Sequence, residues 1–133
     1  MKSIEVDDVL IFHYKIIEKT GGSQGVREIT LIESAIKRAF ASFDGKDLYA
    51  KMEEKIAVIT YGLIKNHGFV DGNKRIGVAV MLLLLRINDI KIIYTQKQLI
   101  HLGLSIADGS ASQEDIIVWI NNHRKKWRFA FKR

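Results

Sequence analysis

The chain contains no cysteine. That absence excludes disulfides, a thiolate nucleophile and zinc sites built on sulfur, and it suits a reducing cytosol. The first ten residues, MKSIEVDDVL, lack the basic region and apolar run of a secretory signal and carry three acids, so a cytoplasmic protein is expected. Long apolar runs are missing too. The longest, IGVAVMLLLL from Ile76 to Leu85, has ten residues, about half of the roughly 20 that span a bilayer. It reads as a helix buried in protein, and no membrane partner is expected. The net charge of +6 is confined to one end. Residues 124–133, RKKWRFAFKR, hold six Lys or Arg and no acid, which leaves 15 basic against 15 acidic side chains in residues 1–123. At 133 residues the chain supports one core, so the expected organisation is a single domain over 1–123 followed by a basic tail over 124–133. Such a tail can touch phosphates or an acidic partner, or be a solvated helix end.

Hydrophobic periodicity predicts helices throughout. Ser3 is placed to cap a first helix with Val6, Val9, Leu10, His13, Ile16 and Ile17 on its apolar side, ended by Gly21 and Gly22. Thr30 and Glu33 have capping-box spacing for a second helix that places Leu31, Ala35, Ile36, Ala39 and Phe40 on the core. FDGKDLY then forms a loop or flap, and a third helix is expected from about Leu48 to Lys65. A fourth, capped by Asn73 and running from Lys74 to about Arg86, is apolar almost all round and is expected to cross the middle of the domain. Thr95 opens a fifth, and Ser112 with Asp115 boxes a sixth. The predicted fold class is all-α, a bundle of six helices around a central buried one, with β structure limited to a short hairpin flap.

Chemistry concentrates in NHGFVDGNKRIG, residues 66–77. A helix start has unpartnered N–H groups and the positive end of the helix dipole, so it attracts anions. Gly72 lets a phosphate approach the backbone, Asn73 fixes the turn, and Lys74 and Arg75 place two cations in the first turn, where positive side chains are ordinarily unfavourable. A bound polyanion is the simplest compensation. Asp71 would oppose phosphate unless a divalent cation lies between them, and magnesium suits one carboxylate plus phosphate oxygens. His67, with an unperturbed pKa of about 6.5, is the candidate general base for a hydroxyl, and Phe69 reads as an inward anchor. Together these residues describe phosphoryl or nucleotidyl transfer. Taken singly each has a dull explanation: His67 as a helix C-terminal residue, Asn73 as a cap, Lys74 and Arg75 as a solvated face. His13, His101 and His123 show no metal-ligand spacing and are assigned to packing or surface roles. Trp119 has the spacing of a core anchor, and Trp127 and Phe129 are interface residues or part of a docked terminus.

The stretch HGFVDGNKR resembles the signature of the Fic/Doc family, and GGSQGVRE with the LIESAIKRA helix extends the similarity to Doc-type toxins over nearly the whole chain. Adenylylating members carry Gly where Lys74 stands and a second Arg where Val78 stands; Doc members share both departures. The resemblance implies a kinase that presents the γ-phosphate of ATP to a target hydroxyl, a threonine of translation elongation factor Tu, and so arrests protein synthesis. Carried onto this chain, His67 is the base, Asp71 the magnesium ligand, Gly72 and Asn73 the phosphate-binding turn, and Lys74 and Arg75 the groups that neutralise the transferred phosphoryl. The flap implies target contacts for Lys46, Leu48 and Tyr49. Many relatives carry an inhibitory Ser/Thr-x-x-x-Glu-Gly/Asn helix. Here the nearest stretch, Ser110 to Glu114, is followed by Asp115 and belongs to the last helix cap. A separate antitoxin acting in trans is therefore expected, with operator DNA bound only in its company. Two rivals stay open: adenylyl transfer on the same base and metal, and a non-catalytic DNA-binding or adaptor domain driven by the tail.

Overall fold

Six helices and one two-stranded hairpin account for the regular structure of residues 1–125, the part that the structure, a computed structural model, describes. In chain order they are α1 (Val6–Thr20), α2 (Ile29–Lys37) with a 3₁₀ turn over Arg38–Phe40, β1 (Ser42–Phe43), β2 (Lys46–Asp47), α3 (Met52–Lys65), α4 (Asn73–Ile87), α5 (Gln96–Ala107) and α6 (Gln113–His123). This is the all-α bundle with a short hairpin flap that the sequence predicts. The hairpin turns through Asp44 and Gly45, both at positive φ, the backbone shape that a tight two-residue connection needs.

Several boundaries differ from the predicted ones. The cap of α1 is Glu5, not Ser3: the Glu5 N–H donates to Asp8 Oδ2 at 2.9 Å. For α2 it is Glu28 instead of Thr30, whose hydroxyl donates to Glu28 Oε1 at 2.9 Å. Helix α3 starts only at Met52, because the chain bends at Leu48, Tyr49 and Lys51 as it leaves the hairpin and Glu54 reaches back to the Lys51 N–H. Gly72 caps α4, with Asn73 its first helical residue. Phe40, predicted in the core, is 42% exposed, and its ring lies 5.8 Å from the Lys55 ammonium; Ile32 takes the buried place on α2. Thr95 and Ser112 cap α5 and α6 as expected.

The core centres on α3 as much as on α4. Ile56, Ala57, Val58 and Ile59 are all fully buried, so α3 has core on every side along that turn. Against it α4 buries Ile76, Val80, Met81, Leu84 and Leu85. Its other side, at Ala79, Leu82 and Leu83, faces an apolar groove shared with Phe12 and Ile90. The two helices approach so closely that a Cβ at Gly77 would sit 2.3 Å from Ile64 Cγ1. This packing fixes the end of α3 relative to the start of α4. Residues 66–72 join those two points. Among the described residues no helix is long and apolar enough to cross a membrane.

Candidate functional site

The connection between α3 and α4 is short and held along its whole length by neighbouring chain. Asn66 closes α3, and its amide donates to Leu31 O at 3.0 Å. His67 follows at φ +53, a left-handed backbone uncommon for a residue with a side chain. Gly68 O accepts from the N–H groups of Arg27 and Glu28 at 2.8 and 2.9 Å, and the Val70 N–H donates to Gly25 O at 3.0 Å. The loop after α1 thus runs antiparallel to the motif loop, with Val26 opposite Phe69. Phe69 is buried, as the sequence reading required, and its ring stacks on His13 with centroids 3.7 Å apart. Its own N–H and C=O point away from Val26 and meet Asn73, which accepts from Phe69 N and donates to Phe69 O, both at 3.0 Å. Asn73 therefore fixes the turn by clamping Phe69 rather than by capping.

Gly72, at φ +77, starts α4. A Cβ there would lie 2.8 Å from Ile17 Cδ1, so glycine suits both the left-handed turn and the close contact with α1. Behind it His13 is buried and donates through Nε2 to Asp71 O at 2.7 Å. His13 has the predicted packing role, and the group that it packs is the motif loop.

Asp71 and Arg75 form the charged part of the site. The Asp71 carboxylate accepts from Ser23 N at 3.0 Å and Gly72 N at 2.8 Å, and lies 3.6 Å from Arg75 Nη2. These two backbone donors foremost, then the Arg75 guanidinium and His13, hold its carboxyl below the usual aspartate value. Arg75 also donates from Nη1 to Thr20 Oγ1 and Gly21 O, both at 2.6 Å. Its charge thus finds compensation at the C-terminal end of α1 as well as at Asp71. Lys74 differs: among the described residues it forms no ion pair, and its stem packs where a Cβ on Gly103 of α5 would approach Lys74 Cγ to 3.1 Å. Of the two cations that open α4, Lys74 is the one without an acidic partner among the described residues. The same α5 surface receives Val78, whose Cγ1 would be 3.3 Å from a Cβ on Gly103.

The His67 side chain is exposed and belongs to no hydrogen bond or ion pair among the described residues. It stands four residues before Asp71 in the stapled loop, with its ring open to solvent. No group of three or more His, Cys, Asp or Glu that could hold a metal ion occurs among the described residues. Asp71 fits a cation that arrives with a triphosphate: it is ionised, each oxygen keeps a free lone pair, and magnesium takes few protein ligands when phosphate supplies the others.

Lys46, Leu48 and Tyr49 lie on or just after the hairpin and make no hydrogen bond or ion pair with residues 66–75. Lys46 and Leu48 are exposed; Tyr49 packs half-buried on the core. The hairpin is anchored by Lys55, a buried amine paired with Asp47 at 3.1 Å and donating to Tyr49 O. His101 is exposed, and His123 stacks on a half-buried Trp119 at 4.1 Å. Of residues 124–133, Arg124 lies opposite Ile92 and 3.5 Å from Glu53, and the Lys125 N–H donates to Lys91 O. Trp127 and Phe129 lie outside the described residues. Arg27, Ser23, Thr20 and Gly22 were absent from the sequence-derived site. Nothing in local periodicity marks them, because they reach it across the fold.

The site is thus the glycine-capped start of a helix in an α-helical bundle, with an exposed histidine and an ionised aspartate on the loop that leads into it. A model of the Fic/DOC family matches residues 3–85, more than half of the chain, and the protein belongs to that family. Toxin Doc of Mycolicibacterium smegmatis (strain ATCC 700084 / mc(2)155) is 36% identical to it over 72 residues, which are 54% of this chain and 55% of that protein. The match spans about half the length of this relative.

Proposed function

We propose that the protein is a Doc-type toxin that transfers the γ-phosphoryl group of a nucleoside triphosphate to a protein hydroxyl. The observation that carries this reading is the start of α4, where Gly72, an unpaired Lys74 and an ionised Asp71 share one turn, with His67 four residues upstream of Asp71. The free N–H groups of the first turn and the Lys74 ammonium bind and orient the phosphates. Arg75 holds Asp71 and α1 in place and adds its charge to the turn. Asp71 would hold the magnesium, which supplies charge neutralisation between phosphate oxygens. His67 takes the proton of the target hydroxyl as its oxygen bonds to the γ-phosphorus and the bond to the β-phosphate oxygen breaks, releasing a nucleoside diphosphate.

Kinase action is preferred to adenylyl transfer because position 78 supplies no cation: it is a valine packed toward α5. A threonine of elongation factor Tu is the proposed target, and translation arrest the proposed consequence. A separate antitoxin is the proposed restraint, since Glu114 lies in the first turn of α6 and Ser110 bonds to Asp108. Operator binding is assigned to the complex with that antitoxin, and the site of action to the cytoplasm. The test is transfer of label from ATP to purified elongation factor Tu. Label from the γ position, entering about 10²- to 10⁴-fold more slowly with His67→Ala, is the expected result. Label from the α position would establish adenylyl transfer instead, and label from neither would refute this reading.

A further inference from the structure

We infer that Arg27, on the loop after α1, is a positioning residue for His67: its guanidinium holds the histidine backbone in the left-handed conformation that presents the ring. The inference rests on the proposed base role of His67 and adds a residue to it. Two carbonyls close the C-terminal end of α3, and Arg27 takes both. Its Nε donates to His67 O at 2.7 Å, and its Nη2 to Asn66 O at 3.2 Å. A planar fork binding two successive carbonyls fixes the peptide plane between them, which a single-point donor cannot do. A cation is also favoured at this end of a helix. The peptide plane matters because His67 stands at φ +53, a conformation that persists in a non-glycine residue only when its surroundings enforce it.

The enforcement is shared, and the shares differ. The backbone of Arg27 and Glu28 holds Gly68 O, Asn73 holds Phe69, and the Gly25 carbonyl holds the Val70 N–H. None of these touches His67. Among the described residues, the hydrogen bond to His67 comes from the Arg27 side chain alone. Arg27 is itself exposed, so its loss opens no core. Its removal is therefore expected to release the histidine while leaving the phosphate turn in place, since that turn is held by His13, Ser23 and Asn73.

The test compares Arg27→Ala and Arg27→Lys with the wild type, each also in a His67→Ala background. In the wild-type background Arg27→Ala is expected to lower kcat by about 10- to 100-fold, as for displacement of a reacting group by an ångström, with the KM for nucleotide little changed. Arg27→Lys, which keeps the charge and loses the fork, should fall between, and it serves if the alanine variant does not fold. In the His67→Ala background neither change should lower the residual rate further, because the effect runs through His67. Equal losses in both backgrounds would overturn the inference, as would a kcat unaltered by Arg27→Ala. The backbone chemical shifts and three-bond couplings of His67, read by NMR, report its φ without turnover. They should move from a fixed left-handed value toward averaging in both variants, and unchanged values would overturn the inference. If the wild type transfers no label, the proposed function fails while the NMR readout still decides the role of Arg27.

Discussion

Replacing Asn73 by alanine should unsettle the motif loop more than its half-exposed position suggests. The Asn73 amide makes two hydrogen bonds at 3.0 Å to the backbone of one residue, Phe69. That residue is buried and sits between chain segments whose own hydrogen bonds are directed to residues 25–28. In the variant neither polar group of Phe69 has another protein partner at hand. Leaving a buried donor or acceptor unpaired costs about 1–3 kcal/mol. Partial hydration of this half-covered turn brings the pair to about 2–4 kcal/mol. With a urea slope of about 2 kcal/mol/M, usual for a small domain, the unfolding midpoint should fall by about 1–2 M. Asn73→Asp is the informative companion. Its carboxylate accepts from the Phe69 N–H but cannot donate to Phe69 O, so its midpoint should lie between the other two. The assay is equilibrium urea unfolding followed by circular dichroism. A midpoint for Asn73→Ala within about 0.3 M of wild type at unchanged slope would refute the clamp.

Two further outcomes follow from the geometry around Asp71. A Cβ at Gly22 would stand 2.6 Å from Asp71 Oδ2 and 3.0 Å from Arg75 Nη2, so Gly22→Ala should displace both side chains and weaken magnesium-dependent nucleotide uptake by about tenfold, roughly 1.4 kcal/mol; unaltered affinity by calorimetry would contradict this. The Asp71 carboxyl is held below its ordinary value of 3.8, so the stability it adds is complete above that pH and is lost as the pH falls through the lower folded value. The stability advantage of wild type over Asp71→Asn should thus shrink in acid unfolding curves below pH 3.8, and an advantage that grew there would be inconsistent with the hydrogen bonds from Ser23 and Gly72.

Much of the bundle was legible because its signals are local. Thr95 and Ser112 are ordinary caps with Gln98 and Asp115 three residues on, and both boxes form. The misplaced caps have two causes. At α1 and α2 a glutamate holds the cap position, Glu5 through its N–H to Asp8 and Glu28 through its carboxylate, whereas the pattern favoured the nearby Ser3 and Thr30. At α4 the conformational freedom of Gly72 decides the first turn, which releases Asn73 to hold Phe69. Phe40 was placed in the core by helical spacing, but the chain tightens into a 3₁₀ turn over Arg38–Phe40 and rotates it outward.

The candidate site was legible as a list of residues and not as a set of relationships. The string from His67 to Arg75 names the groups, but its spacing gives no hint that Arg75 reaches the end of α1 at Thr20 and Gly21. The two cations therefore looked equivalent from sequence. In the fold Arg75 is a strut and Lys74 is open. Arg27 lay within GGSQGVRE, the stretch that carried part of the family resemblance, with no local reason for an arginine there. Its reason is tertiary, the carbonyl oxygens of Asn66 and His67 some forty residues away.

The most direct measurement is calorimetric titration of ATP with magnesium into the folded protein and into Lys74→Ala. Saturable uptake that requires magnesium, weakened by about 10- to 100-fold when this one charge-assisted contact is removed, is the predicted result. Absence of uptake by the wild type, or uptake indifferent to Lys74, would contradict the placing of a triphosphate at the start of α4.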